Sequence, residues 1–509
     1  MEQPTVEVGN KSHISASMQD VEKLKQNLHE LALFPPPKLT DEQFNFINSR
    51  RDKISSCITD REKYIEESGI NKDIFGTYWG GDGVECVIQN LLKGERDVYD
   101  RLRWVWAFSG FPILNYCRAD TFPVIDPIFE RYKKLAAASP KAFKITAPPV
   151  CGEAGWKVDD GVVNMDVAIT QERLLYLYHT GVHDHLAKKA SPAILEIGAG
   201  SGMFAYGLYK SFPKCRYFIC DIPESLLLQF TYLNLGLPDK KHYVAGPNGL
   251  FEILGPDQED RKVKLEDIDD GIIYIPNYMM HHYDKLIKPD LAYNAMSLHE
   301  MQPKQIDYYA KMLRRILVVK EIAFIQSFWT MLDNHNGFLG KVWRKINYTP
   351  EAPSWKRALA APILNAFRSL SLFLGYRHGK HGIFFEVNAH RGEVNNINSP
   401  YLKSNFSYRK SFDFYDLSLC PTLWTNDKNL MNNLEEKYNH YQRKYDLDGL
   451  YQIDAPFQNP ETPPTTLLRM MDEDFGDILK FNFTEWVNKN QYFFADHLAG
   501  YRRRFPSLV

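Results

Sequence analysis

A buried strand that stops on closely spaced glycines constrains this chain more than any other feature. Ala193-Ile194-Leu195-Glu196-Ile197 runs into Gly198-Ala199-Gly200-Ser201-Gly202, and a second apolar run, Tyr217-Phe218-Ile219-Cys220, ends on Asp221. Near-continuous apolar runs suit strands covered on both faces, which means a parallel sheet. Between them Met203, Phe204, Tyr206, Gly207 and Leu208 predict a short helix whose N-terminus faces the glycine turn. The alternation continues. Pro223 opens a helix with Leu226, Leu227, Phe230 and Leu233 on one stripe; Ala292 to Met296 reads as a strand; Pro303 opens a helix with Ile306, Ala310, Leu313 and Leu317 inward; Ile322 to Ile325 is the next strand. Such a chain folds as an α/β, Rossmann-like doubly wound sheet, with ligands above the carboxyl ends of its strands.

A glycine turn at a helix N-terminus, followed by a carboxylate that closes the next strand, is the shape of a nucleotide site. Asp221 is placed to accept both hydroxyls of a ribose, with Ile222 beside it. Two adenosine cofactors compete. The dinucleotide fingerprint needs a small residue three positions after its second glycine, and here that position is Met203. Glu196 stands beside the loop, where a carboxylate repels a pyrophosphate but suits an ammonium and a sulfonium. The expected ligand is therefore S-adenosyl-L-methionine (SAM), held by Glu196, Gly198, Gly200, Gly202, Asp221, Ile222 and Asn294.

Three stretches carry a resemblance. Leu195 to Gly202, Asp221-Ile222-Pro223-Glu224-Ser225-Leu226, and the blocks Ile275 to Tyr278, Asp290 to Asn294 and Ser297-Leu298-His299-Glu300-Met301 stand in one order and spacing. Together they resemble the core of class I SAM-dependent methyltransferases and, within these, are similar to the sugar O-methyltransferase family. The likeness spans Met165 to Phe328. It departs from the family at Ala199, where a third glycine is common, and at Ser201, where an aromatic is. It implies a SAM-dependent O-methyltransferase whose acceptor is a carbohydrate, free or carried as a nucleotide sugar or glycolipid. Another small-molecule acceptor, or a catalytically silent methyltransferase-fold scaffold, are the competing readings.

Methyl transfer is an in-line displacement, and an unactivated hydroxyl needs a base to take its proton. Asn294, Ser297, His299 and Glu300 lie at or just past the carboxyl end of a predicted strand; His299 is the expected catalytic base, and Glu300 orients it or binds sugar hydroxyls. His281 and His282, in a predicted loop after Ile275 to Met280, are alternative bases. His179 and His183 have the spacing of metal ligands on one helix face, but no third ligand joins them, so no metal is expected.

The chain has 509 residues, 44% of them hydrophobic, enough for two or three domains. A flexible tail (1–19) is expected before a helical N-terminal domain (20–164), then a methyltransferase core (165–420) and a C-terminal extension (421–509). Within the helical domain, Tyr78, Trp79, Trp104, Trp106 and Phe108 suit either core packing or stacking on sugar rings. Such additions commonly cover the substrate side or form a homo-oligomer surface. A net charge of −2 does not call for nucleic acid. Seven cysteines with no Cys-x-x-Cys pair, and no apolar leader in the first residues, predict a cytoplasmic protein with reduced thiols. The insertion 341–391 holds nine Lys or Arg against Glu351 and Glu386. It predicts an anionic partner: the phosphates of an acceptor, or the face of a membrane it touches peripherally.

Overall fold

A computed structural model describes residues 38–70, 75, 82–103, 127–153, 155–159, 161–246, 249–254, 261–295, 297–298, 301, 303–317, 383–389, 408–411, 419–425 and 427–444. A small hairpin, β1 (Trp156–Val158) and β2 (Gly161–Val163), precedes a ten-stranded sheet. The sheet comprises β3 (Ala193–Ile197), β4 (Arg216–Asp221), β5 (His242–Ala245), β6 (Leu250–Ile253), β7 (Lys262–Lys264), β8 (Gly271–Pro276), β9 (Leu291–Ala295), β10 (Ile383–Ala389), β11 (Tyr408–Ser411) and β12 (Leu419–Thr425). Their order is β11-β12-β10-β9-β3-β4-β8-β5-β6-β7. From β10 to β5 every pairing is parallel. At one edge β12 runs antiparallel between β10 and β11, and at the other β6 and β7 close the sheet as antiparallel neighbours.

The chain leaves β3 toward β4 on one side and later returns to its other side as β9. That reversal opens a crevice above the carboxyl ends of β3 and β9, where doubly wound sheets bind ligands. Register aligns those ends: Ile197 stands opposite Cys220 and Asn294, and Asp221 opposite Pro276.

Alternation along the strands feeds two cores. Ile194, Tyr217 and Ile219 face one, with the helices Met165–His179, Met203–Ser211 and Pro223–Gly236. Leu195, Ile197, Phe218 and Cys220 face the other, under the helix Pro303–Leu317. The helix Pro223–Gly236 corrects the single-stripe expectation, since its residues are buried all round through Leu235. The cause is a second cover: the helix Asp41–Thr59 packs on its outer side, Lys53 reaches Glu252 at 3.2 Å, and Arg61 pairs with Glu224 at 2.8 Å. Thr40 starts that outer helix with a capping box to Gln43. One buried cluster thus holds Ile47 and Ile54 together with Ile194 and Phe230, so packing runs across position 164/165.

Other boundaries move. β8 ends at Pro276, Asn277–Met279 is a 3-10 turn, and His281 and His282, expected in a loop, sit on the short helix Met280–Tyr283. β10 is parallel to β9 and antiparallel to β12, the reversed strand. The expected strand Ile322 to Ile325, the aromatics Tyr78, Trp79, Trp104, Trp106 and Phe108, and most of 341–391 lie outside the described residues.

Candidate functional site

Each glycine of the loop after β3 has a different physical reason. Gly198, Gly200 and Gly202 have φ of 70°, 57° and 83°, a region that costs other residues about 1–2 kcal/mol each. A Cβ on Gly198 would lie 2.3 Å from Ser297 Oγ, so this glycine lets β3 and the turn after β9 touch. On Gly202 it would press Leu233 at 3.3 Å, which sets how closely the following helix sits. On Gly200 it would meet nothing within 4 Å. Gly200 is the exposed point of the loop, where a ligand can approach the backbone, and the amides of Gly200 and Ser201 bond no acceptor among the described residues.

Asp221 ties this loop to the next strand. Its Oδ2 accepts from the Ala199 amide at 2.9 Å and from Gln229 Nε2 at 2.6 Å, and its Oδ1 accepts from the Ile222 amide at 2.8 Å. Gln229 Nε2 also donates to the Gly200 carbonyl at 3.0 Å. Burial raises the Asp221 pKa from 3.8 to about 6, against the pull of those hydrogen bonds. One lone pair of Oδ1 stays available for a ribose hydroxyl. Gln229, which the sequence reading missed, is fully buried and bridges two motif residues. Beyond β8 the turn Asn277–Met279 adjoins Asp221 through the register with Pro276, a placement no local motif announced.

Asn294 and Glu196 both bond within the protein. Asn294 is fully buried; its Nδ2 donates to the Ile197 carbonyl at 2.8 Å and to Ser297 Oγ, and Ser297 Oγ donates to the same carbonyl at 3.0 Å. It braces the root of the loop, because the polar end of a buried strand needs internal partners. Glu196 is 3% exposed and accepts from the Tyr217 hydroxyl at 2.8 Å, on the sheet face behind the loop. That bond occupies Oε2. His299 and Glu300 lie outside the described residues.

Burial pushes Glu196 from 4.5 up to about 7, opposed by the Tyr217 bond and by Arg173. A carboxyl whose pKa rises on folding adds stability that is complete below its unfolded value and is lost as pH climbs through the folded one. The span corresponds to about 3 kcal/mol. Glu196→Gln keeps an acceptor for Tyr217, so urea unfolding should show it about 2–3 kcal/mol more stable than the native protein near pH 8 and equal to it near pH 4.

The remaining histidines separate. His179 ends one helix and His183 belongs to the next, with Gly181 in the left-handed region between them, so they do not share one helix face. His183 packs against Phe143 and Phe212, and burial lowers His179 to about 4. His281 Nδ1 lies 3.0 Å from the Tyr278 carbonyl with its ring against His282; burial, then His282, lowers its pKa. Cys57, Cys151, Cys215 and Cys220 are free and buried.

A charged cluster flanks the loop and had no sequence signal. Arg103 Nε donates to Glu153 Oε2 at 2.8 Å and its Nη2 to Asp166 Oδ2 at 2.7 Å; Asn164 also donates to Glu153, and Ser201 Oγ lies 3.4 Å from Asp166 Oδ2. Asp166 and Ser201 thus join the helix before β3 to the loop after it.

No protein-family model and no curated protein matches the sequence. Among solved structures, human N-acetylserotonin methyltransferase in complex with SAM is similar at 11% identity and a TM-score of 0.24, over 52% of this chain and 55% of its own. The apo form of the S-adenosylmethionine-dependent methyltransferase SibL is similar at 10% identity and a TM-score of 0.24, over 63% and 76%. PigF with SAH is similar at 12% identity and a TM-score of 0.22, over 60% and 71%. This chain spans little more than half the length of the human enzyme. Overlap this low leaves the chain's own sheet order and loop geometry as the ground for a functional reading. Among the described residues no helix is long and apolar enough to cross a membrane.

Proposed function

We propose that this protein is a SAM-dependent O-methyltransferase, with a carbohydrate hydroxyl as acceptor. One observation carries the cofactor reading: a loop of three left-handed glycines, one facing open space, is stitched to the Asp221 carboxylate at the point where the sheet order reverses. Met203, buried at the position where a dinucleotide site needs a small residue, stands against the nicotinamide and flavin alternatives. When bound, SAM supplies a methyl carbon activated by its sulfonium. Asp221 accepts a ribose hydroxyl, the exposed backbone at Gly200 lets the ligand approach, and Gln229 holds both in register. His299, directly after the β9 turn in sequence, removes the acceptor proton, and Glu300 orients it or binds the acceptor.

The carbohydrate acceptor, the cytoplasmic setting, the division into a helical domain, core and extension, and the phosphate-binding role of 341–391 rest on the resemblance and composition of the sequence. Titration calorimetry with SAM and S-adenosylhomocysteine (SAH) should show binding, and labelled-methyl transfer should find its acceptor among nucleotide sugars, glycolipids and oligosaccharides. Tight NADH binding in place of SAM would overturn the cofactor reading, and methylation only of non-sugar acceptors would overturn the substrate.

A further inference from the structure

Gln229 is held in an orientation that leaves one of its own atoms unpaired. Fully buried on the helix Pro223–Gly236, it donates from Nε2 to Asp221 Oδ2 at 2.6 Å and to the Gly200 carbonyl at 3.0 Å, while its Oε1 has no donor among the described residues. Turned over, the amide would set its oxygen against two acceptors, a carboxylate and a carbonyl, which is worse than one oxygen without a donor. The bond to Asp221 is strongest while that group is ionised. Burial pushes the Asp221 pKa up to about 6, and Gln229 opposes burial more than the Ile222 or Ala199 amides do. The other titratable groups that face Asp221 are Glu224 in the first turn of the same helix, Glu196 of β3, Cys220 of β4 and Tyr309 of the helix Pro303–Leu317. None of these is a cation, and Arg61 is paired with Glu224 at 2.8 Å.

We propose that Gln229 regulates the crevice as a positioning residue: its one nitrogen fixes the open Gly200 backbone and keeps Asp221 charged, so that the ligand is captured only above a pH threshold set by this amide. This rests on the SAM reading above and adds what controls it. Gln229 need not touch the ligand. Its Cγ lies 3.7 Å from where a Cβ on Gly202 would stand, so its stem is seated against one end of the loop while its amide holds the middle. With Gln229 in place, Oδ1 of Asp221 offers a lone pair to the ribose down to about pH 6. Without it, burial loses its strongest opponent and the carboxyl takes up its proton at a higher pH.

The test is the pH dependence of SAH affinity, read by calorimetry on the full chain. On the native protein affinity should fall below about pH 6. Gln229→Met keeps the volume and removes the donor, so its midpoint should move up by about one to two pH units; it should bind about tenfold more weakly than native near about pH 6.5, and within about threefold of native near about pH 9. Gln229→Glu should do the reverse. Sharing a proton with Asp221 it donates as the amide does near about pH 6, but once that proton leaves, at about pH 8–9, two carboxylates face each other and affinity should fall about tenfold or more. Each variant is compared with native protein at the same pH, which cancels the titrations of Glu196 and of the ligand. A packing role alone would lower affinity by one factor at every pH. Profiles parallel to native in Gln229→Met, or no alkaline loss in Gln229→Glu, therefore overturn the proposal, and melting curves show whether either variant fails to fold and leaves the other to decide. A native affinity that stays level from about pH 5 to about pH 7 overturns it without any variant. If the native protein binds neither SAM nor SAH at any pH, the SAM reading itself falls and takes this one with it.

Discussion

Asp221→Ala is expected to weaken SAH binding by about 10- to 100-fold, the cost of one ribose hydrogen bond to a charged acceptor together with release of the loop. The carboxylate also receives the Ala199 and Ile222 amides and Gln229, so its removal strands donors on both sides of the crevice. Asp221→Asn separates the contributions. It can still accept at one oxygen, and should lose less affinity than alanine while leaving the melting temperature closer to native. Because Asp221 titrates at about 6, affinity should also fall as pH drops below that point, where the carboxyl gains a proton and can no longer accept at both oxygens. Calorimetry at matched ionic strength reads all three. Unchanged SAH affinity in the alanine variant would remove the ribose site.

Gly198→Ala should destabilise the fold by about 3–5 kcal/mol, whereas Gly200→Ala should cost about 1–2 kcal/mol and act mainly on ligand affinity. Both positions hold positive φ. They differ in what a methyl group meets: Ser297 Oγ at 2.3 Å and Cβ at 2.4 Å for Gly198, and open space for Gly200. Ser297 cannot step aside cheaply, since it is bonded to the Ile197 carbonyl and to Asn294. Chemical denaturation of the two single variants, and of Gly198→Ala with Ser297→Gly, tests the pairing. Partial recovery in the double variant would show that the contact, beyond backbone strain, sets the cost. Equal stability of the two single variants would refute it.

What the sequence disclosed follows from which interactions are local. β3, β4, the helix starting at Pro223 and the positive-φ glycines were legible because consecutive residues encode them. Gln229 was nearly legible: it stands three residues after Leu226 and four before Leu233, on a buried stripe where a polar side chain must find partners. Arg103, Glu153 and Asp166 were not. Each is an ordinary charged residue in its own segment, and the cluster exists only because the fold joins positions 50 and 63 apart in the chain beside the loop after β3. Glu196 and Asn294 were found as residues, but their bonds to Tyr217 and to the Ile197 carbonyl were not legible, because spacing does not show which face of a strand a side chain takes.

The reversed strand carries a practical consequence. β12 saturates the outer hydrogen-bonding edge of β10 along its length, and the chain reaches that position only after residue 418. A fragment cut just beyond β10 would keep the glycine loop and Asp221 but bare a seven-residue parallel edge, a template on which copies of the fragment would stack. Any excised fragment meant to stay monomeric therefore needs the segment through Thr425.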